Sequence, residues 1–267
     1  MAIHNKNINI PDQYLEIEIR KIINHFDGPI NKNSLLAIKE IKTESAYIKN
    51  LAGLEYAENI ESLVFKNAQI EDLQNISQLP SLSSFDIENT NLANPMQISL
   101  LTNLTKLRIK NCKFFELDGL YGLENITDLS LINNKVKSIK YISNMINLTS
   151  LNVENNLIQD LSPLSPIKSL SWIDLSNNQI SNIEDLSTLK SVSSLDISKN
   201  EISNIDALSK TINLAWLSIA DNQIRDLSPL NSLPKLNHLV IEGNHFNQQT
   251  KKIHIPRFKS RGITVIL

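Results

Sequence analysis

Three consecutive stretches of the sequence decide the fold: LSWIDLSNNQISNIEDLSTLKS at residues 170–191, VSSLDISKNEISNIDALSKTIN at 192–213 and LAWLSIADNQIRDLSPLNSLPK at 214–235. Each stretch has 22 residues and shares the skeleton L-x-x-L-x-L-x-x-N-x-I-x-x-L-x-x-L, with Ile or Val replacing Leu at some positions. A unit this short cannot bury its own apolar side, so it must stack on a copy of itself. The sequence therefore predicts a repeat protein whose successive units share one continuous core.

The same period extends in both directions from these stretches. Ten successive units begin with an aliphatic residue, namely Ile38, Ile60, Leu82, Leu104, Ile126, Leu148, Leu170, Val192, Leu214 and Leu236. Alternating apolar and polar residues at positions three to seven predict one short strand per unit, and stacked strands form a parallel sheet with a spacing of about 4.8 Å. Apolar residues three apart, such as Ile183 and Leu186, predict a turn of 3₁₀ or α helix. We therefore predict an α/β solenoid over residues 38–246, with a curved sheet on its concave face and short helices on its convex face.

The residues before the array predict a helical N-terminal cap over residues 1–37. Asp12 opens a stretch in which apolar residues recur at helical spacing. A second short helix is expected from about Lys32 to Lys39, with Asn31 as its cap. A cap is needed because an uncovered first repeat would expose apolar surface.

The residues after Phe246 predict a C-terminal capping segment over residues 247–267. The stretch NQQTKKIHIPRFKSRG is basic and polar and does not continue the repeat. The last six residues, GITVIL, instead predict a closing strand after a small insertion. Such a strand would cover the other end of the array.

The ninth position of the repeat predicts a ladder of inward-facing polar side chains. Six successive units have asparagine there, namely Asn134, Asn156, Asn178, Asn200, Asn222 and Asn244. A buried amide must be satisfied, and these amides can bond backbone groups of their own and neighbouring units. The earlier units have Ala68, Thr90 and Cys112 at this position, so we expect that part of the array to be looser and Cys112 to be a buried structural thiol.

Composition excludes several classes of function. The 267 residues carry a net charge of −2, which gives no general attraction to nucleic acid. No run of about 18 apolar residues occurs, so no membrane insertion is expected. The five histidines lack metal-ligand spacing, and we predict neither a metal nor another cofactor. The N-terminus lacks the apolar segment of a secretory signal, which indicates a cytoplasmic location by default; a shortened N-terminus or signal-independent export would leave secretion open.

The repeat resembles the short leucine-rich repeat class, which includes the bacterial internalins and a eukaryotic protein phosphatase regulator. IPDQYLEIEIRKII at 10–23 resembles the helical cap that precedes internalin repeats, and IKNLAGLEYAENIESL at 48–63 resembles the first junction of cap and repeat. The resemblance covers about residues 8–246. It implies a leucine-rich repeat solenoid from a bacterium, and a surface or secreted protein that binds host proteins on the concave sheet.

In such a fold the third, fifth and seventh positions of each unit point outward from the sheet. Both tryptophans, Trp172 and Trp216, fall in the third position two units apart, about 10 Å by strand spacing. His238 and Val240 lie beside Trp216 in the next unit. Exposed tryptophan is the commonest interface anchor, so we predict partner binding here. The alternative is that these side chains fold back on the sheet.

Two aspartates, Asp174 and Asp196, are predicted side by side on adjacent strands. Paired carboxylates can perform acid–base catalysis or hold Ca²⁺. No nucleophile, ligand-rich loop or pocket is expected with them, so we favour a solvated acidic patch and no catalytic residue. They are included with the predicted partner-binding residues.

Lys106, Arg108 and Lys110 form one basic strand. Acidic residues flank it at Asp86, Glu88 and Asp128. We favour a self-compensating surface patch, because opposite charges pair across neighbouring strands. The alternative is a second contact for an acidic partner.

The sequence as a whole predicts a monomeric, non-enzymatic module for protein–protein interaction that binds its protein partner on the concave face. Its finer form is an internalin-like host-interaction or virulence factor. The alternative is an intracellular scaffold or a regulatory subunit that docks on an enzyme such as a phosphatase. A third hypothesis is an enzyme that uses the two aspartates.

Overall fold

The structure is a computed structural model that describes residues 7–267. The chain divides into two compact units. Unit 1 comprises the described residues up to Cys112 together with Asp118–Ile126, and unit 2 comprises Lys113–Leu117 and Thr127–Leu267. Along the part of the chain that the structure describes, no helix is both long and apolar enough to cross a bilayer.

Unit 1 contains two helices and a parallel sheet. Its elements in chain order are β1 (Asn7–Ile8), α1 (Gln13–Ile23), β2 (Ile30–Asn31), α2 (Lys32–Leu36), β3 (Glu40–Thr43), β4 (Ser62–Lys66), β5 (Gln69–Ile70), β6 (Ser84–Glu88), β7 (Asn91–Leu92) and β8 (Lys106–Lys110). Strands β3, β4, β6 and β8 pair in parallel, with register partners 22 residues apart. Short 3₁₀ helices follow the strands at Leu54–Tyr56, Gln74–Ile76, Pro95–Leu100 and Asp118–Leu120.

Unit 2 repeats the same arrangement. Its strands are β9 (Asp128–Ser130), β10 (Ser150–Asn152), β11 (Trp172–Asp174), β12 (Ser194–Asp196), β13 (Trp216–Ser218), β14 (His238–Val240) and β15 (Thr264–Ile266). All seven pair in parallel in chain order. The 3₁₀ helices lie at Lys140–Asn144, Ser162–Leu164, Glu184–Thr188, Asp206–Lys210 and Ser228–Ser232. The predicted α/β solenoid of strands and short helices is confirmed.

The core of each unit lies between its sheet and its 3₁₀ helices. In unit 2, Leu170, Ile173 and Leu175 point inward from one coil and are buried, while Ile180 and Leu186 of the same coil meet them from the other side. Period-two alternation in the strand therefore places every second side chain on the free face of the sheet. That free face is where the predicted binding residues lie.

The asparagine ladder forms in unit 2 as predicted. The Asn178 Oδ1 accepts from the Ile158 amide at 3.0 Å, and its Nδ2 lies 3.0 Å from the Val153 carbonyl of the preceding coil. The same Nδ2 also donates to Leu175 and Ser176 in its own coil. One buried amide thus ties two coils together and bonds backbone groups of both.

Unit 1 satisfies the same position without asparagine. The Thr90 hydroxyl lies 3.1 Å from the Phe65 carbonyl and 3.0 Å from that of Glu88. Strands β5 and β7 pair directly in parallel beside this position. Cys112 is half-buried, with its Sγ 3.1 Å from the Lys110 carbonyl, and burial raises the pKa of this thiol to about 11.

Helix α1 begins after Asp12, whose carboxylate also joins it to the first repeat. The Asp12 Oδ1 accepts from the amides of Tyr14 and Leu15, both at 3.0 Å. Its Oδ2 accepts from the amides of Lys49 and Asn50 at 2.8 and 3.0 Å. Burial alone would raise the pKa of Asp12, but these four backbone bonds together hold it below its ordinary value.

Helix α2 is shorter than the sequence indicated. It ends at Leu36 instead of about Lys39, because the Lys39 carbonyl accepts from the backbone amides of Glu61 and Ser62 in the next coil. Helix α1 packs on β3, and α2 packs on β2 and on the 3₁₀ helix at Leu54–Tyr56. A cap over residues 1–37 stays a proposal, and residues 1–6 of it lie outside the described residues.

The C-terminal segment contains a helix that its basic and polar sequence does not predict. A π-helical turn at Thr250–His254 continues into α3 (Ile255–Ser260), which buries Phe258. The strand expected in GITVIL is present as β15, paired with β14. In this segment Ile255 and Phe258 are three residues apart, which is a spacing typical of a helix. The surrounding basic residues make that spacing hard to recognise in the sequence.

Candidate functional site

The two tryptophans lie on the free face of the unit 2 sheet. Trp172 in β11 and Trp216 in β13 are both register partners of Ser194 in β12, so one strand separates them. Their side chains point outward because the residues that follow them, Ile173 and Leu217, fill the core. Two strand spacings place the backbones of the tryptophans about 10 Å apart.

The two indoles differ in how firmly they are held. The Trp216 ring stacks on the His238 ring of the neighbouring strand, with centroids 5.9 Å apart and planes 9° from parallel. Trp216 is consequently half-buried. Trp172 remains 40% exposed, and among the described residues it stacks on no other ring.

A shallow hollow separates the two indoles. Its volume is about 250 Å³, and six residues line it: Trp172, Ile173, Asp174, Ser194, Asp196 and Trp216. The expectation that no pocket accompanies the two aspartates is therefore wrong. Sequence spacing could not show it, because the hollow forms only where two large side chains stand on either side of a small one, Ser194.

Asp174 and Asp196 line this hollow from paired strands. Each uses its Oδ1 to accept from the serine two residues later: Asp174 from the amide and hydroxyl of Ser176 at 2.9 and 2.6 Å, and Asp196 from those of Ser198 at 2.8 and 2.6 Å. Burial raises the pKa of Asp174, and the charge of Asp196 adds to this, although the bonds from Ser176 oppose it. Each carboxylate is therefore oriented by a serine of its own coil.

Ser176 and Ser198 are the site residues that sequence reasoning missed. Both are buried and orient the carboxylates that precede them. The signal was present as the repeated D-x-S spacing in DLS at 174–176 and DIS at 196–198. An aspartate followed two residues later by serine forms such local bonds readily.

Val240 and His238 extend the site along β14. Val240 pairs in register with Ser218 and with Ile266 of β15, and both it and Ile266 are partly exposed. The two residues place neighbouring apolar side chains on paired strands. The structure thus brings six of the nine predicted partner-binding residues onto one sheet face of unit 2.

The other three predicted residues lie in unit 1, on β8. The Lys110 Nζ is 2.8 Å from a Glu88 carboxylate oxygen, and the Arg108 guanidinium is 3.6 Å from Asp86. The hydrogen bond from Lys110 holds the pKa of Glu88 below its ordinary value. This geometry is the self-compensating patch that the sequence favoured, and such exposed pairs contribute little energy.

The described residues contain no group of three or more histidine, cysteine, aspartate or glutamate side chains that could hold a metal ion. The hollow has two carboxylates and one serine, but no lysine, histidine or cysteine lines it within the described chain. Its arrangement suits the recognition of a ligand group by aromatic faces and negative charge.

Comparison with known proteins agrees with this architecture. A family model described as leucine rich repeat matches residues 146–202, and one described as two copies of leucine rich repeats matches residues 212–253. The sequence matches no curated protein with significance.

Several solved structures share the fold. An internalin, InlF of Listeria monocytogenes, is 24% identical with a TM-score of 0.66, and the match covers 100% of this chain and 92% of the InlF chain. Internalin C2 of the same species is 23% identical with a TM-score of 0.64, and the match covers 90% of this chain and 98% of the internalin C2 chain. A Leptospira interrogans leucine-rich repeat protein is 21% identical with a TM-score of 0.75, and the match covers 88% of this chain and 62% of that protein. The chain therefore has the fold of an internalin-type leucine-rich repeat protein.

Proposed function

We propose that this chain is a protein-binding module that engages its partner on the unit 2 sheet face, with Trp172 and Trp216 as anchors. The observation that carries the proposal is the exposed Trp172 indole beside a hollow whose opposite wall, Trp216, is already stacked on His238. Tryptophan is the residue most enriched in interface hot spots. Because the Trp216 side chain is already held by His238, it loses little conformational entropy when a partner binds.

The fold supports this role, because repeat solenoids present extended, preformed binding surfaces. The likeness to solved internalins of Listeria monocytogenes supports the finer proposal that the partner is a host protein. A bacterial partner would instead indicate an intracellular scaffold or a regulatory subunit. The catalytic hypothesis lacks a nucleophile–base pair in the hollow, and binding accounts for its aromatic walls more directly.

The test compares captured proteins across matched variants. Immobilised wild-type chain, the double variant Trp172→Ala/Trp216→Ala and a control variant Phe26→Ala would each be exposed to host-cell and bacterial lysates. Phe26 is an exposed aromatic residue of unit 1, so its loss removes exposed aromatic surface outside the proposed site. Thermal unfolding of all three would establish that each is folded.

The expected result is one captured protein that binds wild type and the control equally. The double variant should bind it more weakly by at least about 2 kcal/mol, the threshold that defines a hot spot. Equal capture by all three forms would remove the tryptophans from the site and refute the proposal. Whether the captured protein comes from the host or the bacterial lysate decides between the two finer roles.

A further inference from the structure

The free face of the unit 2 sheet has an uneven charge. The outward positions of strands β9 to β14 and the residues two beyond them carry five carboxylates, namely Asp128, Glu154, Asp174, Asp196 and Glu242. The same positions, all within the described chain, contain neither lysine nor arginine, and His238 is the one other titratable residue there. A ligand group that enters this face therefore meets negative charge.

The hollow concentrates that charge at one point. Asp174 and Asp196 are direct register partners, and like charges opposite each other on paired strands repel. Their Oδ1 atoms are used by Ser176 and Ser198, while within the described residues no protein donor bonds either Oδ2. Two acceptor atoms are thus left for a donor that arrives from outside.

The walls of the hollow suit a flat cation. A planar group stacked between two parallel aromatic rings needs about 7 Å between them, which is twice the usual contact distance between carbon atoms. The backbones of the two tryptophans lie about 10 Å apart. The Trp172 side chain is 40% exposed, so its indole can change rotamer to meet a planar group. Tryptophan is the aromatic residue that attracts cations best, and guanidinium groups both stack on aromatic faces and donate in a fork to carboxylates.

We propose that the hollow between Trp172 and Trp216 is a recognition site for the side chain of an arginine on the protein partner, with Asp174 and Asp196 accepting from its guanidinium. The proposal rests on the proposed function and names the partner chemistry that this site selects. The guanidinium stacks against the indoles and relieves the repulsion between the two aspartates. Partners that present an exposed arginine are bound in preference to those that present a neutral residue there.

A small-molecule experiment tests the chemistry without the partner. The whole chain would be titrated with N-acetyl-arginine amide and with N-acetyl-citrulline amide, a neutral molecule of nearly the same shape. Binding is followed by the indole N–H resonances of Trp172 and Trp216 and by tryptophan fluorescence. The variants are Asp174→Asn/Asp196→Asn at the hollow and Glu154→Gln on the same face outside it.

Arginine amide should bind wild type with a dissociation constant on the order of 1–10 mM and at least about tenfold more tightly than citrulline amide. The Asp174→Asn/Asp196→Asn variant should remove that preference, because each asparagine can still accept from Ser176 or Ser198 through its Oδ1 but loses the charge and has an NH2 donor where the aspartate had its free Oδ2 acceptor. Glu154→Gln should change arginine binding by less than about threefold, since screened charges outside the contact contribute little.

Equal binding of the two amides, no binding of either, or a preference that survives in the aspartate variant would each overturn the arginine site. These outcomes are separate from the capture experiment. A protein partner lost in Trp172→Ala/Trp216→Ala, together with equal binding of arginine and citrulline amides, would leave the proposed function standing and reject the cation site alone.

Discussion

The asparagine ladder supplies a quantitative prediction about what holds unit 2 together. The Asn178 Oδ1 accepts from the Ile158 amide, and its Nδ2 lies 3.0 to 3.2 Å from three carbonyl oxygens. Because Nδ2 carries two hydrogens, the side chain makes about three full hydrogen bonds. Replacing it with alanine removes them and leaves the buried Ile158 amide without its acceptor. At about 1 kcal/mol net per bond, the expected cost is about 3 kcal/mol of unfolding free energy.

Threonine at the same position should cost about half as much. In unit 1 the Thr90 hydroxyl, as a donor, reaches the carbonyl of the preceding coil and that of Glu88, so Asn178→Thr should keep the donor function. It should lose the acceptor for Ile158. The predicted order of stability is therefore wild type, Asn178→Thr and Asn178→Ala, with steps of about 1.5 kcal/mol each.

The assay is urea unfolding followed by the fluorescence of Trp172, which lies in the same coil as the substitution, and of Trp216, which lies two coils further along the chain. Hydrogen exchange of the Ile158 amide gives a local check, because this amide should lose protection in both variants. A loss of less than about 1 kcal/mol for Asn178→Ala, or equal stability of the threonine and alanine variants, would refute the account of the ladder.

Three further predictions follow from charged side chains and one turn. Asp12→Asn should destabilise the chain at neutral pH, because the folded pKa of Asp12 is lowered and its ionised form therefore stabilises the fold. The difference in unfolding free energy from wild type should shrink as the pH falls through that folded pKa. Urea unfolding at several pH values measures this difference. Asp174→Asn should raise the unfolding free energy at neutral pH, since burial and the nearby Asp196 raise the folded pKa of Asp174, and the gain should disappear as the pH falls below the unfolded value of 3.8. Lys199→Asn should raise the melting temperature, because Lys199 has a left-handed φ of 55° that asparagine tolerates better, with a gain of up to about 1 kcal/mol.

The Asp174 prediction links stability to the proposed binding site. A residue kept for binding is expected to oppose folding when the site is empty. If Asp174→Asn leaves stability unchanged or lowers it at neutral pH, burial and the charge of Asp196 together do not destabilise the ionised Asp174, and the empty site has no energetic cost that a cation would relieve. The same variant then tests the energetic basis of the site without any ligand.

The sequence by itself determined the repeat, its register and the face on which each residue lies. A period of 22 residues fixes which side chains stack on one another, because a register slip would move apolar residues out of the core. The outward positions of Trp172, Trp216 and Lys106 and the inward position of Asn178 follow from that periodicity alone. The closing strand β15 was also readable, from the alternation in its few residues.

Only the tertiary structure decided how neighbouring side chains share the free face. The stacking of Trp216 on His238 and the hollow beside the exposed Trp172 depend on side-chain rotamers and on the small size of Ser194 between the indoles. Likewise, the end of α2 was set by coil-to-coil hydrogen bonds to Lys39. Periodicity assigns each residue to a face, but it carries no information about rotamers or about contacts between different coils, and those contacts create the site.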